Sequence, residues 1–303
     1  MSTPSGEKVR ISVVIPAYNE EAGIATVISD VRGALETAGL RRDEDYEVLV
    51  VDDGSTDGTA AAAEKSARVL RQPMNLGYGK ALLTGFHEAR FDWVLTIDGD
   101  GSYPAGEIAK LLPYAPAFDM VIGARQGDFF WGDKVRAFLR LIQLKLSAFV
   151  AGTDIPDTNS GLRLVRKISE RLHMPIPCYG YSFSTTITLS FIRECLPVKF
   201  VPVEYTQRTG SSKVRIVRDT LRTLQLMLEI ILYFNPIKFF VVLALFPLAL
   251  AAILFLRYLL MPHFGDLLAM ILCGFASLTT FLFGCLLDAL RLHMRRAEQR
   301  QDR

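Results

Sequence analysis

Residues 93–100 read WVLTIDGD, an apolar run that ends in two aspartates separated by a single glycine. The run has the length and composition of a buried strand, so Asp98 and Asp100 are expected where the strand ends and a loop begins. On an extended backbone residues i and i+2 project to the same side, and the two carboxylates could therefore hold one hard divalent cation. An isolated Asp-Gly pair also makes ordinary turns, so the neighbouring motifs must decide between a metal site and a turn.

On both sides of this stretch, short apolar runs alternate with helical patterns from about residue 10 to residue 205. The apolar runs cover 11–15, 47–51, 93–97 and 119–122, and the helical patterns cover about 20–38, 57–66, 78–90 and 104–112. This alternation predicts an α/β fold with a mostly parallel sheet and helices on both faces. Ligands of such sheets bind beyond the carboxyl ends of the strands, so we expect the polar loops 16–20, 52–57 and 98–102 to converge there.

The composition limits the classes of partner. The chain has 303 residues, half of them hydrophobic, and a formal net charge of +2, which gives no reason to expect a nucleic acid partner. Its four cysteines show neither metal-ligand spacing nor a dense disulfide pattern, and this fits a reduced, cytosol-facing domain. Residues 1–10 are polar and lack the apolar core of a signal peptide, so we expect the first domain not to be exported.

After Lys213, two long apolar segments, 239–256 and 267–287, carry no charged residue. Each is long enough to cross the hydrocarbon core of a bilayer, and together they predict a transmembrane hairpin; two buried helices of a soluble fold are the alternative. Basic residues flank this hairpin on both sides, at Lys213, Arg215, Arg218, Arg222, Lys238, Arg291, Arg295, Arg296, Arg300 and Arg303. The positive-inside rule therefore predicts an integral membrane protein with two spans, whose large N-terminal domain and both termini are cytoplasmic.

Between these two regions, apolar residues recur at helical spacing from Val214 to Ile231. They predict an amphipathic helix on the inner membrane surface, with a helix that faces the protein core as the alternative. The predicted organisation is a cytosolic domain at 1–213, an interfacial helix at 214–235, a transmembrane hairpin at 236–290 and a basic cytosolic tail at 291–303. Membrane hairpins often pair, so a homo-oligomer is a candidate. Gly274 and Gly284 are too far apart for the close-packing motif of paired spans, and the sequence therefore offers no decisive motif for such pairing.

Four motifs resemble, in this order and spacing, the nucleotide-sugar domain of family 2 glycosyltransferases: VIPAYNE at 14–20, VDDGSTDGT at 51–59, NLG at 75–77 and DGD at 98–100. The resemblance covers about residues 10–235 and implies a GT-A-type fold and an enzyme that binds a GDP- or UDP-hexose. It also implies that the first two loops hold the nucleoside, with donor-binding roles for Pro16, Tyr18, Glu20, Asp53, Gly77 and Asp98. Turn formation and helix capping by Asp57 and Thr59 are the alternative for the second loop.

Arg125 ends the segment 122–125, and the aromatic residues 129–131 and a helix with three basic residues, Lys134, Arg136 and Arg140, follow it. Arginine offers a planar fork suited to phosphate, and aromatic side chains suit the membrane interface, so we expect a site for a lipid-borne phosphate. The chain is here similar to glycosyltransferases that act on polyprenyl phosphates, which implies that Arg125 and Arg136 hold the acceptor phosphate. A solvated basic helix face is the alternative for Lys134 and Arg140.

Residues 157–163, DTNSGLR, are similar to the D-x-x-S-G-F-R segment of dolichol-phosphate mannose synthases, with leucine for the usual aromatic. This similarity adds Asp157, Ser160 and Arg163 to the expected acceptor site. Residues 208–213 resemble a basic segment of the same enzymes, and a mobile loop that carries Arg208 and Lys213 could close over the diphosphate as the sugar departs. The Q-x-x-R-W pattern of processive polysaccharide synthases is not matched, so one sugar per lipid is expected.

These motifs together predict inverting, metal-dependent transfer of a single hexose to a polyprenyl phosphate. Asp98, Asp100, Arg208 and Lys213 are the expected catalytic residues, and the two aspartates would hold Mg²⁺ or Mn²⁺ beside the diphosphate. A phosphate dianion needs no general base, whereas a lipid hydroxyl would need one such as Asp157, so a glycolipid synthase is the main alternative. The other alternative is a noncatalytic subunit that binds or transports nucleotide sugars.

Overall fold

A computed structural model describes residues 9–127, 134–167, 183–206, 225, 228–229, 231–233 and 235–301, with the side chains of 134–136, 139 and 295–301 left out. The chain divides into two compact units, Met1–Thr220 and Leu221–Arg303. The predicted interfacial helix at 214–235 lies largely outside the described residues. The few described positions before residue 235 within it, at 225, 228–229 and 231–233, are helical.

Strands and helices alternate along the first unit. Their bounds are β1 (Ile11–Ala17), α1 (Ile24–Thr37), β2 (Tyr46–Asp52), α2 (Thr59–Glu64), β3 (Arg68–Arg71), α3 (Tyr78–Glu88), β4 (Trp93–Thr96), α4 (Ile108–Leu111), β5 (Met120–Gln126), α5 (Lys134–Ala151), β6 (Arg163–Arg166), α6 (Phe183–Arg193) and β7 (Val198–Glu204). Short 3₁₀ turns at Ala105–Glu107 and Leu112–Tyr114 flank α4. The predicted α/β alternation is confirmed.

The seven strands form one sheet in the order β3-β2-β1-β4-β6-β5-β7. Neighbouring strands run parallel except at β6, which is antiparallel to both β4 and β5. The sheet is therefore mixed, with the mostly parallel character that the sequence predicts. Because parallel strands end at the same edge, the loops after β1, β2 and β4 meet there.

Each face of the sheet has its own hydrophobic core, because successive strand residues point to opposite sides. On one face Val13 and Ile15 pack with the buried stripe of α1 and with α4, and on the other Val14 packs with α3 and α6. Helices cover both faces, as the sequence predicts. This double cover explains why the strands read as continuous apolar runs.

The second unit holds two long helices, α7 (Pro236–Leu260) and α8 (Phe264–Gln301). Among the described residues, these two helices are the ones long and apolar enough to cross a membrane, and most of their side chains are exposed. The helices contact each other through a hydrogen bond from the Ser277 hydroxyl to the Ala244 carbonyl, 2.9 Å long. A Cβ at Gly284 would overlap Phe240, so the glycine lets the two helices approach closely.

Candidate active site

The loops that follow β1 and β2 are joined by side-chain hydrogen bonds to backbone amides. The Asn19 amide donates to the Ser55 hydroxyl at 2.9 Å, and the Thr56 amide donates to Asn19 Oδ1 at 2.8 Å. The Glu20 amide donates to Thr59 Oγ1 at 2.8 Å. Since Ala17 pairs with Asp52 in the parallel register, both loops start side by side at the sheet edge. The predicted convergence of these two loops is therefore observed.

Asp53 connects the second motif to the third. Its Oδ1 accepts a hydrogen bond from the Leu76 amide at 2.8 Å, and its Oδ2 accepts one from the Gly77 amide at 2.9 Å. Burial raises the pKa of Asp53, and these two amides oppose the rise. Gly77 has a φ of 96° and starts α3, a conformation that glycine adopts without strain. The structure thus gives Asp53 and Gly77 a shared role in shaping the loops, which the sequence did not reveal.

Gly54 lies in the same motif and provides a test of this close loop packing. Its φ is +70°, and a Cβ there would overlap the backbone of Met74. Gly39 has a similar φ of +82° but open space around its Cβ position. We expect Gly39→Ala to cost about 1–2 kcal/mol through backbone strain alone. We expect Gly54→Ala to cost at least about 1 kcal/mol more, because the Met74 backbone must also move.

The measurement is the thermal unfolding midpoint of the purified protein, which shifts by about 2–4 °C per kcal/mol for a domain of this size. Equal midpoints for the two variants would mean that the approach of Met74 to Gly54 is not tight.

Asp98 and Asp100 lie in a turn just beyond β4, which ends at Thr96. Asp98 Oδ1 accepts a hydrogen bond from the Tyr78 hydroxyl at 2.9 Å, and Asp100 Oδ1 accepts one from the Ser102 amide at 3.0 Å. Burial and the negative charge of Asp100 raise the pKa of Asp98 to about 6. The two carboxylates are therefore close enough to repel each other, and a divalent cation between them would relieve that repulsion.

The described residues hold no group of three or more histidine, cysteine, aspartate or glutamate side chains that could bind a metal. Within the part of the chain that the structure describes, an ion at Asp98 and Asp100 would have two protein carboxylates, and water or a bound substrate could supply further ligands. Hard cations such as Mg²⁺ are often held in this way, by one or two carboxylates together with substrate phosphates. The donor set present fits such an ion.

Arg125, near the end of β5, forms a two-pronged ion pair with Asp157. Its Nε lies 2.7 Å from Asp157 Oδ2 and its Nη2 lies 2.9 Å from Oδ1, while the Arg125 amide also donates to Oδ2 at 3.2 Å. The guanidinium also stacks over the Tyr205 ring at 5.3 Å. Burial is the largest single effect and favours the neutral form of Asp157, but the Arg125 charge and the hydrogen bonds from Arg125 and the Asn159 amide together outweigh it and lower the pKa of Asp157. Asp157 is consequently a buried, paired carboxylate.

Arg163 and Ser160 stabilise the loop that begins at Asp157. The Arg163 guanidinium donates to the Ser160 carbonyl at 2.7 Å, to the Thr158 carbonyl at 2.6 Å and to the Thr188 hydroxyl at 2.7 Å. Burial lowers the pKa of Arg163 to about 10. Ser160 is fully buried, with its hydroxyl 3.3 Å from that of Tyr103. These contacts fix the shape of the loop from inside the protein.

The other expected site residues divide into two groups. Pro16 is buried in β1, and Tyr18 and Glu20 follow it in the first loop, where both are partly buried. Arg208 and Lys213 lie outside the described residues, as do the aromatic residues 129–131, and Arg136 lies in α5 with its side chain not described. The sequence analysis missed Tyr78 and Tyr103. Tyr78 directly follows the motif at 75–77, and Tyr103 directly follows the loop 98–102.

The family model described as glycosyl transferase family 2 matches residues 12–170, a little more than half of the chain. The chain is 31% identical over 230 residues to the polyprenol monophosphomannose synthase of Mycolicibacterium smegmatis, covering 68% of this chain and 81% of that protein. It is 29% identical over 234 residues to the low-salt glycan biosynthesis hexosyltransferase Agl6 of Haloferax volcanii, covering 75% of this chain. The chain spans 55% of the length of that hexosyltransferase.

Among solved structures, the fold is similar to glucosyl-3-phosphoglycerate synthase from Mycobacterium tuberculosis, in a crystal structure with Mn²⁺, UDP and glucosyl-3-phosphoglycerate. The TM-score is 0.53 at 23% identity, and the match covers 72% of this chain and 80% of that one. The mixed seven-stranded sheet with its helices is thus a GT-A-like fold. With the family model across its motif-bearing half and a relative matched along most of its length, the chain belongs to glycosyl transferase family 2 and is a glycosyltransferase.

Proposed function

We propose that this glycosyltransferase transfers a single hexose, with inversion, from a GDP- or UDP-hexose to a polyprenyl phosphate at the cytoplasmic face of a membrane. The relative from Mycolicibacterium smegmatis is named for the product polyprenol monophosphomannose, which supports a polyprenyl phosphate as the acceptor class. The two long apolar helices α7 and α8 support a membrane location. The basic residues that flank them support a cytoplasmic side for the N-terminal unit and both termini.

The ion pair between Arg125 and Asp157 is the observation that carries the choice of acceptor. A general base works best when its pKa lies near the operating pH. The pKa of Asp157 is instead lowered by Arg125, so Asp157 is a weak base for a lipid hydroxyl. A phosphate monoester, with a second pKa of about 6, is mostly a dianion at neutral pH and attacks without a base. The geometry therefore favours a phosphate acceptor over the hydroxyl acceptor of a glycolipid synthase.

On the donor side, the loops after β1 and β2 would hold the nucleoside through Pro16, Tyr18, Glu20 and Asp53, with Gly77 shaping the pocket. Asp98 and Asp100 would hold Mg²⁺ or Mn²⁺, which when bound neutralises charge on the diphosphate leaving group. Mn²⁺ and UDP occur together in the structure of the Mycobacterium tuberculosis relative. Arg208 and Lys213 would close over the diphosphate and stabilise its developing charge.

On the acceptor side, Arg125 and Arg136 would bind the lipid phosphate, since a guanidinium carries five N–H donors and the Asp157 carboxylate takes two of those on Arg125. Asp157 would orient the Arg125 fork through its two-pronged contact. Ser160 and Arg163, which are buried, would affect acceptor binding indirectly, by holding the loop that begins at Asp157 in shape. A homo-oligomer is compatible with this arrangement.

The acceptor assignment is tested with the purified full-length protein in detergent and radiolabelled GDP- and UDP-hexoses. Polyprenyl phosphate and the polyprenol of the same chain length form a matched pair of acceptors, and diacylglycerol adds an unrelated hydroxyl. We expect transfer to polyprenyl phosphate to exceed transfer to either hydroxyl lipid by at least about a hundredfold, because a site built for a charged group rejects analogues without it. Faster transfer to a hydroxyl lipid would favour the glycolipid synthase instead.

A further inference from the structure

The carboxylate of Asp98 is enclosed by two groups that come from distant parts of the chain. The Tyr78 hydroxyl, at the start of α3, donates to Asp98 Oδ1 at 2.9 Å. In the loop before β6, the backbone of Gly161 lies so close that a Cβ there would overlap the whole carboxylate group of Asp98. We propose that Tyr78 and Gly161 are positioning residues that fix the orientation of Asp98 for a divalent cation, an inference that rests on the proposed metal-dependent function.

Gly161 is itself held in place by two buried side chains. The Thr96 hydroxyl donates to the Gly161 carbonyl at 2.8 Å, and the Gly161 amide donates to the Tyr103 hydroxyl at 2.8 Å. Both side chains are almost fully buried, with exposed fractions of 2% for Thr96 and 4% for Tyr103. Since the amide and the carbonyl of Gly161 are both hydrogen-bonded, its backbone is fixed in position beside Asp98.

Tyr78 also restricts Asp98, through its hydroxyl. A carboxylate rotates easily about its last torsion, whose preference is broad. The hydrogen bond from Tyr78 holds Oδ1, and the close contact with Gly161 leaves no room for the group to swing toward the loop. Hydrogen bonds to a metal-ligating carboxylate commonly change metal affinity by about 10–100-fold when they are removed. The same range is expected here.

Two substitutions test the inference, one at each of the two contacts with Asp98. Tyr78→Phe removes one oxygen atom, and Gly161→Ala adds one methyl group that displaces the carboxylate. The matched controls make the same chemical changes elsewhere: Tyr46→Phe removes a hydroxyl that donates to Glu36 at 2.9 Å, and Gly106→Ala adds a methyl group in open space.

The probe is Mn²⁺, titrated into the full-length protein in detergent and followed by electron paramagnetic resonance, alone and with UDP or GDP. We expect Tyr78→Phe and Gly161→Ala to raise the Kd of Mn²⁺ by about tenfold or more, and both controls to stay within about twofold of the wild type. Tyr78→Phe should also recover most of its kcat at saturating Mn²⁺, which a variant with a general folding defect would not do. Thermal unfolding midpoints identify such a defect. If Gly161→Ala lowers the midpoint, the inference is judged from the Kd of Mn²⁺ in Tyr78→Phe.

The variant Asp98→Asn distinguishes a failure of the positioning role from a failure of the metal site itself. If it weakens Mn²⁺ binding while Tyr78→Phe and Gly161→Ala bind Mn²⁺ like the wild type, the positioning role is wrong and the metal site stands. If Asp98→Asn and the wild type bind Mn²⁺ equally, or the wild type binds none, the metal site and the positioning role are both wrong.

Discussion

Replacing Asp100 with asparagine is expected to lower the kcat of sugar transfer by about a hundredfold or more. The two side chains have nearly the same shape, and asparagine keeps an oxygen that can accept the hydrogen bond from the Ser102 amide. The substitution therefore removes mainly the negative charge. Charge stabilisation by a bound metal contributes several kcal/mol to such reactions, and each 1.36 kcal/mol corresponds to about a tenfold change in rate.

The measurement is transfer of radiolabelled hexose under saturating donor, with Mg²⁺ and with Mn²⁺. Asp92→Asn is the matched control, because Asp92 is exposed at the start of β4, away from the edge where the site loops meet. Chelation by EDTA should lower the wild-type rate as strongly as Asp100→Asn does, and should have little further effect on that variant. Wild-type activity in Asp100→Asn would remove Asp100 from the catalytic machinery.

The substitution Arg125→Ala is expected to destabilise the first unit strongly. It leaves the Asp157 carboxylate buried without its cation, and breaking a buried ion pair in this way costs about 3–5 kcal/mol. The thermal midpoint should fall by about 10 °C, at about 2–4 °C per kcal/mol. The control Arg68→Ala breaks the exposed pair with Glu88 and should cost less than about 1 kcal/mol.

A double variant separates the pair from its members. Arg125→Ala with Asp157→Ala removes both charges together, so the double variant should be less destabilised than the sum of the two single changes. An unchanged midpoint in Arg125→Ala, combined with lost transfer, would assign Arg125 to acceptor binding alone and contradict its structural contribution.

The same ion pair makes the stability depend on pH in a defined direction. The pKa of Asp157 is lower in the folded protein than in an ordinary carboxyl group. Its pairing therefore stabilises fully above the unfolded pKa of about 3.9 and is lost as the pH falls below that value toward the folded pKa. We expect the difference in thermal midpoint between the wild type and Asp157→Asn to shrink as the pH is lowered from about 5 to about 3.

The sequence predicts the strands whose side chains are buried on both faces. The run 93–97 appears as β4 and the run 11–15 lies within β1, because such strands are continuous apolar stretches. The sequence analysis missed β3, β6 and β7. In β3 and β6 an apolar pair is flanked by arginines, at Arg68, Arg71, Arg163 and Arg166. Strands with so little apolar sequence form because of the neighbours they pair with, and a local pattern does not contain that information.

In the candidate site, too, some features are predicted from the sequence and others are not. Convergence of the loops after β1, β2 and β4 follows from the parallel arrangement of the strands, and the sequence analysis predicts it. The bond from Tyr78 to Asp98 and those from Leu76 and Gly77 to Asp53 join positions 20 to 24 residues apart. They depend on how the side chains are oriented in the folded protein. Motif spacing identifies such residues but does not show that they touch.

The reversed direction of β6 determines how the segment that carries several of the proposed acceptor residues is connected. The chain leaves the sheet after β5 and returns as its antiparallel neighbour, so Ile122 pairs with Arg163 and the Gly123 amide donates to the Leu162 carbonyl at 2.9 Å. The segment 127–162, with α5, is therefore an excursion whose two ends meet on adjacent strands. Such a segment can be exchanged between relatives as one module without rethreading the sheet. The proposed acceptor residues of this segment can then vary while β1, β2 and the loops that follow them stay unchanged, provided that Gly161 keeps its contact with Asp98.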